Sequence, residues 1–474
     1  MVKDYPLLIA GERQTSNKQI EIYSPYNGEL VGTTYQATPN QIDRAISAAS
    51  ESFQVIRQLP SYKRAEILLK AAKELRERSE EVTKLIALEA GKPIKAARIE
   101  VARAANTLTL AAEESKRLNG EVLPLDIDAA SEGRMAIVRR FPIGLMTAIT
   151  PFNFPLNLAV HKLAPAIAVG CPFVLKPAPQ TPLTGLTLGE ILLNAGWPAL
   201  AISVLSCSNE DATPLIIDPR VKMLSFTGSA TVGWQLKKAA FDRRVTLELG
   251  GNAGVAIHSD ADLDFAASRC VVGGFGYAGQ VCISVQRIYI HSPIYQEFTN
   301  KLLNNVKGLK LGDPLDETTD IGPMISEREA ARAESWVQEA LDHKATLLCG
   351  GSRSGQLFQP TILANVDPEL KVNCQEVFAP VVTLTPYDTF DQAIDMIDSS
   401  NYGLQAGIFT SDIKAIFRAY ERLEVGGLIV GDIPTYRAET MPYGGIKQSG
   451  FGREGLRYAI EEMTELKTLV LNLG

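Results

Sequence analysis

The chain has few of the residues that build metal sites or disulfide frameworks. Its six cysteines stand at 171, 207, 270, 282, 349 and 374, with no C-x-x-C pair and none of the regular spacing of a disulfide scaffold. That spacing points to a reducing compartment. Four histidines occur, His161, His258, His291 and His343, far apart and without companions at i+2 or i+4, so no metal is expected. No stretch reaches the roughly 18 apolar residues of a membrane span. The opening Met1-Val2-Lys3-Asp4-Tyr5-Pro6 leads into a short apolar run that Gly11-Glu12-Arg13 ends, too short for the h-region of a secretory signal. A cytoplasmic protein is the expectation, with no membrane partner. Basic blocks are also missing, and the formal charge of −7 is mixed along the chain, which argues against nucleic acid as a partner.

What is present fits an ordinary globular chain with many tight turns: 46% apolar residues, 21% charged and 37 glycines over 474 residues, a length that suggests two or three domains. Residues 1 to about 40 alternate short apolar runs with Gly, Pro and Asn and read as strands and turns. From Gln41 to Leu118 the apolar period becomes helical. In that region Ser79 is a candidate N-cap, Glu80 and Glu81 suit a first turn, and Gly91 with Pro93 stops the helix. Asn119-Gly120 is expected to close the last of these helices, and Glu121 to Arg140 reads as a β excursion. Beyond Gly144, the apolar stretches Leu145–Thr150, Pro172–Lys176, Ala201–Leu205 and Met223–Phe226 alternate with turns and helices, as in a parallel α/β sheet. A second α/β stretch runs from Asn252 to about Tyr436, with helices near Ser326–Leu341 and Phe390–Ser399. The final apolar run, Glu465 to Leu471, reads as a strand with no partner nearby, of the kind that docks on another subunit.

Several stretches carry chemistry, each open to a bland reading when taken alone. Cys282 follows the glycine-rich run Gly273-Gly274-Phe275-Gly276-Tyr277-Ala278-Gly279 and reads either as an unguarded thiol or as a small buried hydrophobe. The turn Phe226-Thr227-Gly228-Ser229-Ala230-Thr231-Val232-Gly233 opens a helix and suits a pyrophosphate, or is a plain strand-to-helix turn. Lys176 ends a strand before Pro177-Ala178-Pro179, where a side chain reaches a crevice or solvent. Glu248 lies among leucines before Gly250-Gly251, either as a buried base or as an outward strand residue. Asn153, between aromatics and prolines in Thr150-Pro151-Phe152-Asn153-Phe154-Pro155, offers an oxyanion donor or a turn cap.

Taken together these stretches resemble the aldehyde dehydrogenase superfamily. TPFNFPL, VLKPAPQTPL, SFTGSATVG, LELGGNAG, GQVCISVQR, LGDP, FQPT, EVFAPV, NYGLQAGIFT and MPYGGIKQSGFGREG follow one another in that family's order over nearly the whole chain. The resemblance implies Cys282 as nucleophile, the Asn153 amide and the Cys282 N–H as oxyanion donors, and Glu248 as the base that activates water. It implies an α/β fold: a Rossmann-variant cofactor domain, an α/β catalytic domain and a β oligomerisation flap. NAD or NADP would lie against Thr150, Pro151, Phe152, Lys176, Phe226, Gly228, Ser229, Gly233, Leu249, Glu376 and Phe378. Where many NAD-preferring members carry a glutamate, this chain has Pro179, so NADP is expected to be accepted.

The same resemblance divides the chain into a cofactor domain of residues 1–118 and 142–251, a catalytic domain of 252–440, and a flap of 119–141 with 455–474. A flap exchanged with a partner implies a homodimer or homotetramer. Members that handle lactaldehyde, succinic semialdehyde or glyceraldehyde 3-phosphate are the most similar. Phosphate-recognising ones carry three arginines, of which Arg103 and Arg437 are matched here. Val281 stands in place of the third. The expected reaction is oxidation of a short, hydroxylated or anionic aldehyde to its acid through a hydrolysed thioester. Transfer to coenzyme A and broad-range aldehyde clearance are the alternatives.

Overall fold

The computed structural model describes residues 3–473. Its larger sheet has eight strands, in the order Gly450–Phe451, Arg244–Glu248, Met223–Thr227, Met146–Ile149, Phe173–Lys176, Ile202–Val204, Leu7–Ile9 and Glu12–Gln14. The five strands from Arg244–Glu248 to Ile202–Val204 run parallel. Their residues are almost all buried, because helices cover both faces and each strand can be apolar throughout. A second sheet, of seven strands, is drawn from Ala253 to Val430 and has Ala253–Ile257 and Val285–His291 near its centre.

The helical region 41–118 resolves into four helices: Pro39–Ile56, Ser61–Glu77, Ser79–Ala90 and Ile94–Glu114. The first begins with a capping box in which Thr38 and Gln41 satisfy each other's N–H groups. Ser79 is not an N-cap. It is already helical, because Ser61–Glu77 runs almost directly into the next helix and Arg78 forms the joint, its guanidinium held by Glu74 and Glu81. Gly91 does end that helix, at φ 64°. The last helix stops at Glu114, with Ser115 as C-cap, short of the expected Asn119-Gly120. Beyond Ser115 the backbone bonds tighten to the i→i−3 pattern, Lys116 N–H to Glu113 O and Arg117 N–H to Glu114 O, as a helix end does.

The terminal strand Thr464–Asn472 does not lack a partner. It pairs antiparallel with Arg134–Pro142 of the same chain, from Thr464 opposite Pro142 to Asn472 opposite Arg134, and Glu121–Pro124 completes a three-stranded flap. The pairing was hidden because the two strands are more than 300 residues apart. The boundaries also shift: helix Leu456–Glu462 packs Leu456, Ala459 and Ile460 into the core beneath the larger sheet, so only the residues from Thr464 onward form the flap. Gly450–Phe451, beyond the expected catalytic segment, adds an antiparallel edge strand to Arg244–Glu248. No helix among the described residues is long and apolar enough to cross a membrane.

Candidate active site

The parallel strands deliver their carboxyl ends to one edge. Ile149 lies opposite both Lys176 and Phe226, and Thr227 lies opposite Glu248. From Met146–Ile149 the chain moves outward through Phe173–Lys176 and Ile202–Val204, then crosses back to Met223–Thr227 and Arg244–Glu248 on the other side. A crevice opens at such a reversal. Here it is a cavity of about 360 Å³ lined by Pro151, Phe152, Asn153, Gly228, Ser229 and Glu248 on one side, and by Cys282, Glu376 and Phe378 on the other.

Cys282 is carried by a strained loop. After helix Leu263–Phe275 the backbone turns through Tyr277 and Ala278 at φ 50° and 53°, a left-handed region that costs a non-glycine residue about 1–3 kcal/mol. Gly279 follows at φ +67°, where a Cβ would sit 2.1 Å from Ala379 O. Anchors on both sides hold this geometry. Tyr277 Oη donates to Ala90 O at 2.9 Å, and the fully buried Gln280 accepts the Ile325 N–H at 2.9 Å. The Cys282 Sγ lies 3.2 Å from the Tyr443 hydroxyl. Burial pushes the thiol up to about 11, with the Tyr443 hydrogen bond opposing.

Asn153 is held by one side-chain hydrogen bond. Its Nδ2 donates to Gln280 O at 3.0 Å, which leaves a second N–H free and its Oδ1 unpartnered. Four residues on, helix Asn157–Val169 starts without a capping side chain of its own. Glu100 serves instead, its Oε1 accepting the N–H groups of Leu156 and Asn157 at 3.0 and 3.1 Å. Lys92 pairs with the other Glu100 oxygen and stands 3.6 Å from the centre of the Phe154 ring. A buried ion pair thus sets the register of the segment bearing Asn153.

Glu248 is 3% exposed and neither of its oxygens has a partner, so the outward-facing reading does not hold. Its strand is flanked on both sides by others. Burial first, then the nearby Glu454 charge, raise its carboxyl well above the ordinary range, against Arg437 and Lys162. Glu454 takes the opposite state: burial opposes ionisation, but Lys162 and Arg437 hold it down to about 2. Lys162 Nζ lies 2.8 Å and Arg437 Nη2 3.2 Å from Glu454.

That cluster continues away from the cofactor side. Arg437 lies 3.7 Å from the centre of the Tyr443 ring, and its Nε is buried without a partner. Arg103 and His161 meet at Glu439, at 2.7 and 2.6 Å. Burial and the Arg437 charge lower the His161 pKa, so this ring is neutral. Glu439 stays ionised well below the usual range despite burial, through His161, Arg103 and Arg437.

Most of the expected site residues converge. Thr150 N–H donates to Lys176 O at 3.2 Å, and the Thr150 hydroxyl is buried and unpartnered. Ser229 caps helix Ala230–Ala239, with its hydroxyl accepting from Val232 N. Gly233 backs against Leu249, and Phe226 is buried beside them. Pro179 is exposed, and Val281 packs in the wall beside the nucleophile. Arg103 and Arg437 line no part of the cleft and belong to the second cluster. The sequence reading missed His161, Lys162, Glu439, Tyr443 and Glu454. Lys162 carried a signal, a lone charge in the apolar run from Leu158 to Val169, since such a residue is buried only when paired.

The cleft suits a dinucleotide. Gly250 leaves room where a Cβ would collide with the Glu376 carboxylate at 2.2 Å, and Glu376 is fixed by the Gly251 N–H at 2.9 Å. Phe152 and Phe378 meet edge to face at 5.9 Å across its mouth. Lys176 is 5% exposed with no carboxylate partner, and burial lowers its pKa, as expected of an ammonium placed for a ligand. The Thr227 hydroxyl and Asn153 Oδ1 are likewise buried and unpartnered.

Fold and cleft together define the class: a nicotinamide-dependent dehydrogenase. The model of the aldehyde dehydrogenase family matches residues 12–469, and the chain belongs to that family, so it is an NAD(P)-dependent oxidoreductase acting on aldehydes. It is 45% identical to the 3-sulfolactaldehyde dehydrogenase of Priestia aryabhattai over 473 residues, covering 100% of this chain and 99% of the relative. Among solved structures, aldehyde dehydrogenase 21 of Physcomitrella patens in complex with the reaction product succinate superposes with TM-score 0.98 at 44% identity, covering 100% and 99% of the two chains. Glyceraldehyde-3-phosphate dehydrogenase GapN of Methanocaldococcus jannaschii, complexed with NADP, gives 0.93 at 40%, covering 96% and 100%.

Proposed function

We propose that this chain oxidises a short aldehyde bearing one negative charge to the corresponding acid, by a covalent route on Cys282. One observation carries the choice of substrate, the charge balance behind the nucleophile. Arg103, Lys162 and Arg437 face two ionised carboxylates, Glu439 and Glu454, while burial favours the neutral form of Glu248. One positive charge is left over, on the side where Arg437 Nε lacks a partner. A carboxylate or sulfonate two or three carbons from the carbonyl would supply the missing counter-charge. The named substrate of the Priestia relative and the succinate of the Physcomitrella complex are of this kind. Val281 adds no charge for a phosphate dianion.

In this reading the Cys282 thiolate attacks the carbonyl carbon. The resulting oxyanion takes the free N–H of Asn153 and the backbone N–H of Cys282, donors typically worth about 10²–10³ in rate each. When bound, the nicotinamide supplies the hydride acceptor. Phe152, Phe378 and Glu376 hold its end of the cleft, and Lys176 with the turn at Gly228 and Ser229 holds the other. Glu248 first gives up its own proton to solvent, and its carboxylate then takes one from the water that hydrolyses the thioester, a role suited to a carboxyl whose pKa is raised. The carboxylate so placed favours hydrolysis over transfer to coenzyme A. NADP is accepted as well as NAD, since no acidic side chain accompanies Lys176. In this reading the catalytic unit comprises residues 252–440, the protein is cytoplasmic, and the exposed flap supports a homodimer or homotetramer.

The test is a panel of aldehydes of equal length, neutral, carboxylated, sulfonated and phosphorylated, assayed with NAD and with NADP. A charged hydrogen bond worth about 1.5–3 kcal/mol gives the singly charged members about a ten- to hundredfold advantage in kcat/KM. Equal values for the neutral members would remove the substrate assignment.

A further inference from the structure

Outside the catalytic cleft, one cavity is lined by cations without a single acidic residue. It measures about 350 Å³ and lies where the turn after helix Pro39–Ile56, the end of helix Ile94–Glu114 and the stem of the flap meet. Arg57, Arg64, Lys116, Arg139 and Arg140 all line it. None of the five has a carboxylate within 4.0 Å among the described residues. Their contacts are neutral. Arg64 donates from Nε to Ala168 O at 2.8 Å and from Nη1 to Leu59 O, and Arg140 Nη1 reaches Thr464 Oγ1 at 3.3 Å. Arg57 and Arg139 lie over the Phe53 and Phe141 rings at 5.3 and 5.6 Å. Lys467 is the strand partner opposite Arg139, adding a like charge at a position where like charges repel.

Arg64 makes the arrangement more than a basic surface. It is 8% exposed, and a buried charge needs a counter-charge or full hydrogen bonding. Apart from Lys176 at the cofactor cleft, other buried cations in this chain meet that condition. Lys92 has Glu100, and Lys162 and Arg437 have Glu454. Arg287 has every nitrogen on a carbonyl or hydroxyl. Arg64 caps the carboxyl end of helix Asn157–Val169 through Ala168 O and reaches Leu59 O, which accounts for two of its nitrogens but leaves Nη2 without a protein partner. Burial lowers its pKa with no carboxylate opposing.

We propose that this cavity is a second anion site that binds a small phosphorylated metabolite with at least two negative charges. Guanidinium groups match phosphate oxygens in paired, planar hydrogen bonds. The volume falls in the range of small-ligand sites, and Leu118, Phe141 and Val169 offer an apolar wall to the organic part. The site is distinct from the catalytic cleft. Leu158 lines the cleft and Val169 lines this cavity, so about 16 Å of the same helix separates them.

Inorganic pyrophosphate is the probe, titrated calorimetrically into the full-length enzyme with NADP at saturation, so that the cofactor cleft is filled, and at constant ionic strength. One pyrophosphate should bind per chain. The double variant Arg57→Ser/Lys116→Ser, two exposed positions, should weaken it by about tenfold or more and leave aldehyde turnover unchanged. Arg64→Met should weaken it further in protein that melts as a folded chain. Unaltered binding in the double variant would overturn the proposal. So would sulfate binding as tightly as pyrophosphate, which would mean an adventitious ion only. A wild type that binds no pyrophosphate, with a double variant that loses oligomeric mass in light scattering, would show that a carboxylate of a second copy fills the cavity, and would also overturn it.

Discussion

Arg103 donates twice to one oxygen of Glu439, from Nε at 3.1 Å and Nη2 at 2.7 Å. His161 holds the other oxygen at 2.6 Å. Arg103 is therefore already neutralised, and in the function proposed above the anion clamp is Arg437, which is paired with Glu454 but has its Nε unpartnered beside Tyr443. Arg437→Met should raise KM for a carboxylated aldehyde about tenfold or more while a neutral aldehyde of equal length changes little. Arg103→Ala should have a smaller effect on the acidic substrate. Steady-state kinetics of both variants decide it, and the reverse ranking would return Arg103 to the clamp.

Glu248 should trade stability against activity. Its folded pKa is raised above the unfolded value near 4.5, so the fold favours the protonated carboxyl. That contribution is complete below the unfolded pKa and is lost as pH rises through the folded one. Gln resembles the protonated form, so Glu248→Gln should gain in Tm over the parent as pH goes from 4 to 8. Its turnover should fall by about 10²–10⁴, the usual worth of a general base. Melting curves across pH, read beside acid production, test both halves, and a variant less stable at pH 8 would contradict the assignment.

The thiol depends on its neighbour. Burial drives the Cys282 pKa up to about 11, and the hydrogen bond from Tyr443 is the largest effect opposing it. Tyr443→Phe removes that bond and should push the thiol higher, slowing alkylation by iodoacetamide at pH 8 several-fold and moving the alkylation profile to higher pH. Rates equal to or above the parent's would show that the hydroxyl does not assist the thiolate.

How much of this was legible in the sequence depends on how far each interaction reaches. The parallel strands read directly, because strands buried on both faces are short apolar runs bounded by turns. Local context singled out Cys282, Asn153 and Glu248 but left each open to a bland reading, and only the family resemblance gave them their expected roles. The contacts that tune them were not legible, since Arg103 and Glu439 are 336 residues apart, and Lys162 and Glu454 are 292 apart. No local pattern records such pairs. Local cues also failed where a neighbouring element overrode them: Ser79 has the chemistry of a cap but comes after a helix that leaves no room for one. The left-handed turn at Tyr277 and Ala278 carries no sequence signal, because neither residue favours φ above zero.

In the function proposed above, Pro179 is the position that opens the site to NADP. It is exposed near the buried, carboxylate-free Lys176. Pro179→Glu would place a negative charge where a 2′-phosphate approaches and offer a ribose hydroxyl an acceptor. Its kcat/KM with NADP should drop about tenfold or more relative to NAD, as measured by initial rates with each cofactor. A parent that already prefers NAD by more than about 10³-fold, roughly 4 kcal/mol, would show that the missing carboxylate does not govern the choice.

The flap bears on assembly through strand Thr464–Asn472. It lies at the edge of its sheet with Leu466, Leu469 and Val470 at 61%, 55% and 53% exposure. An apolar edge strand left open to water invites another chain. Leu466 and Val470 are four residues apart, so they point to the same face, and replacing both with Asp charges that face without touching a core position. Light scattering should give the parent a mass of at least twice 51.4 kDa and the double variant a smaller one, with the cofactor cleft still able to bind. A parent that runs as a stable monomer would mean that this face has some other use.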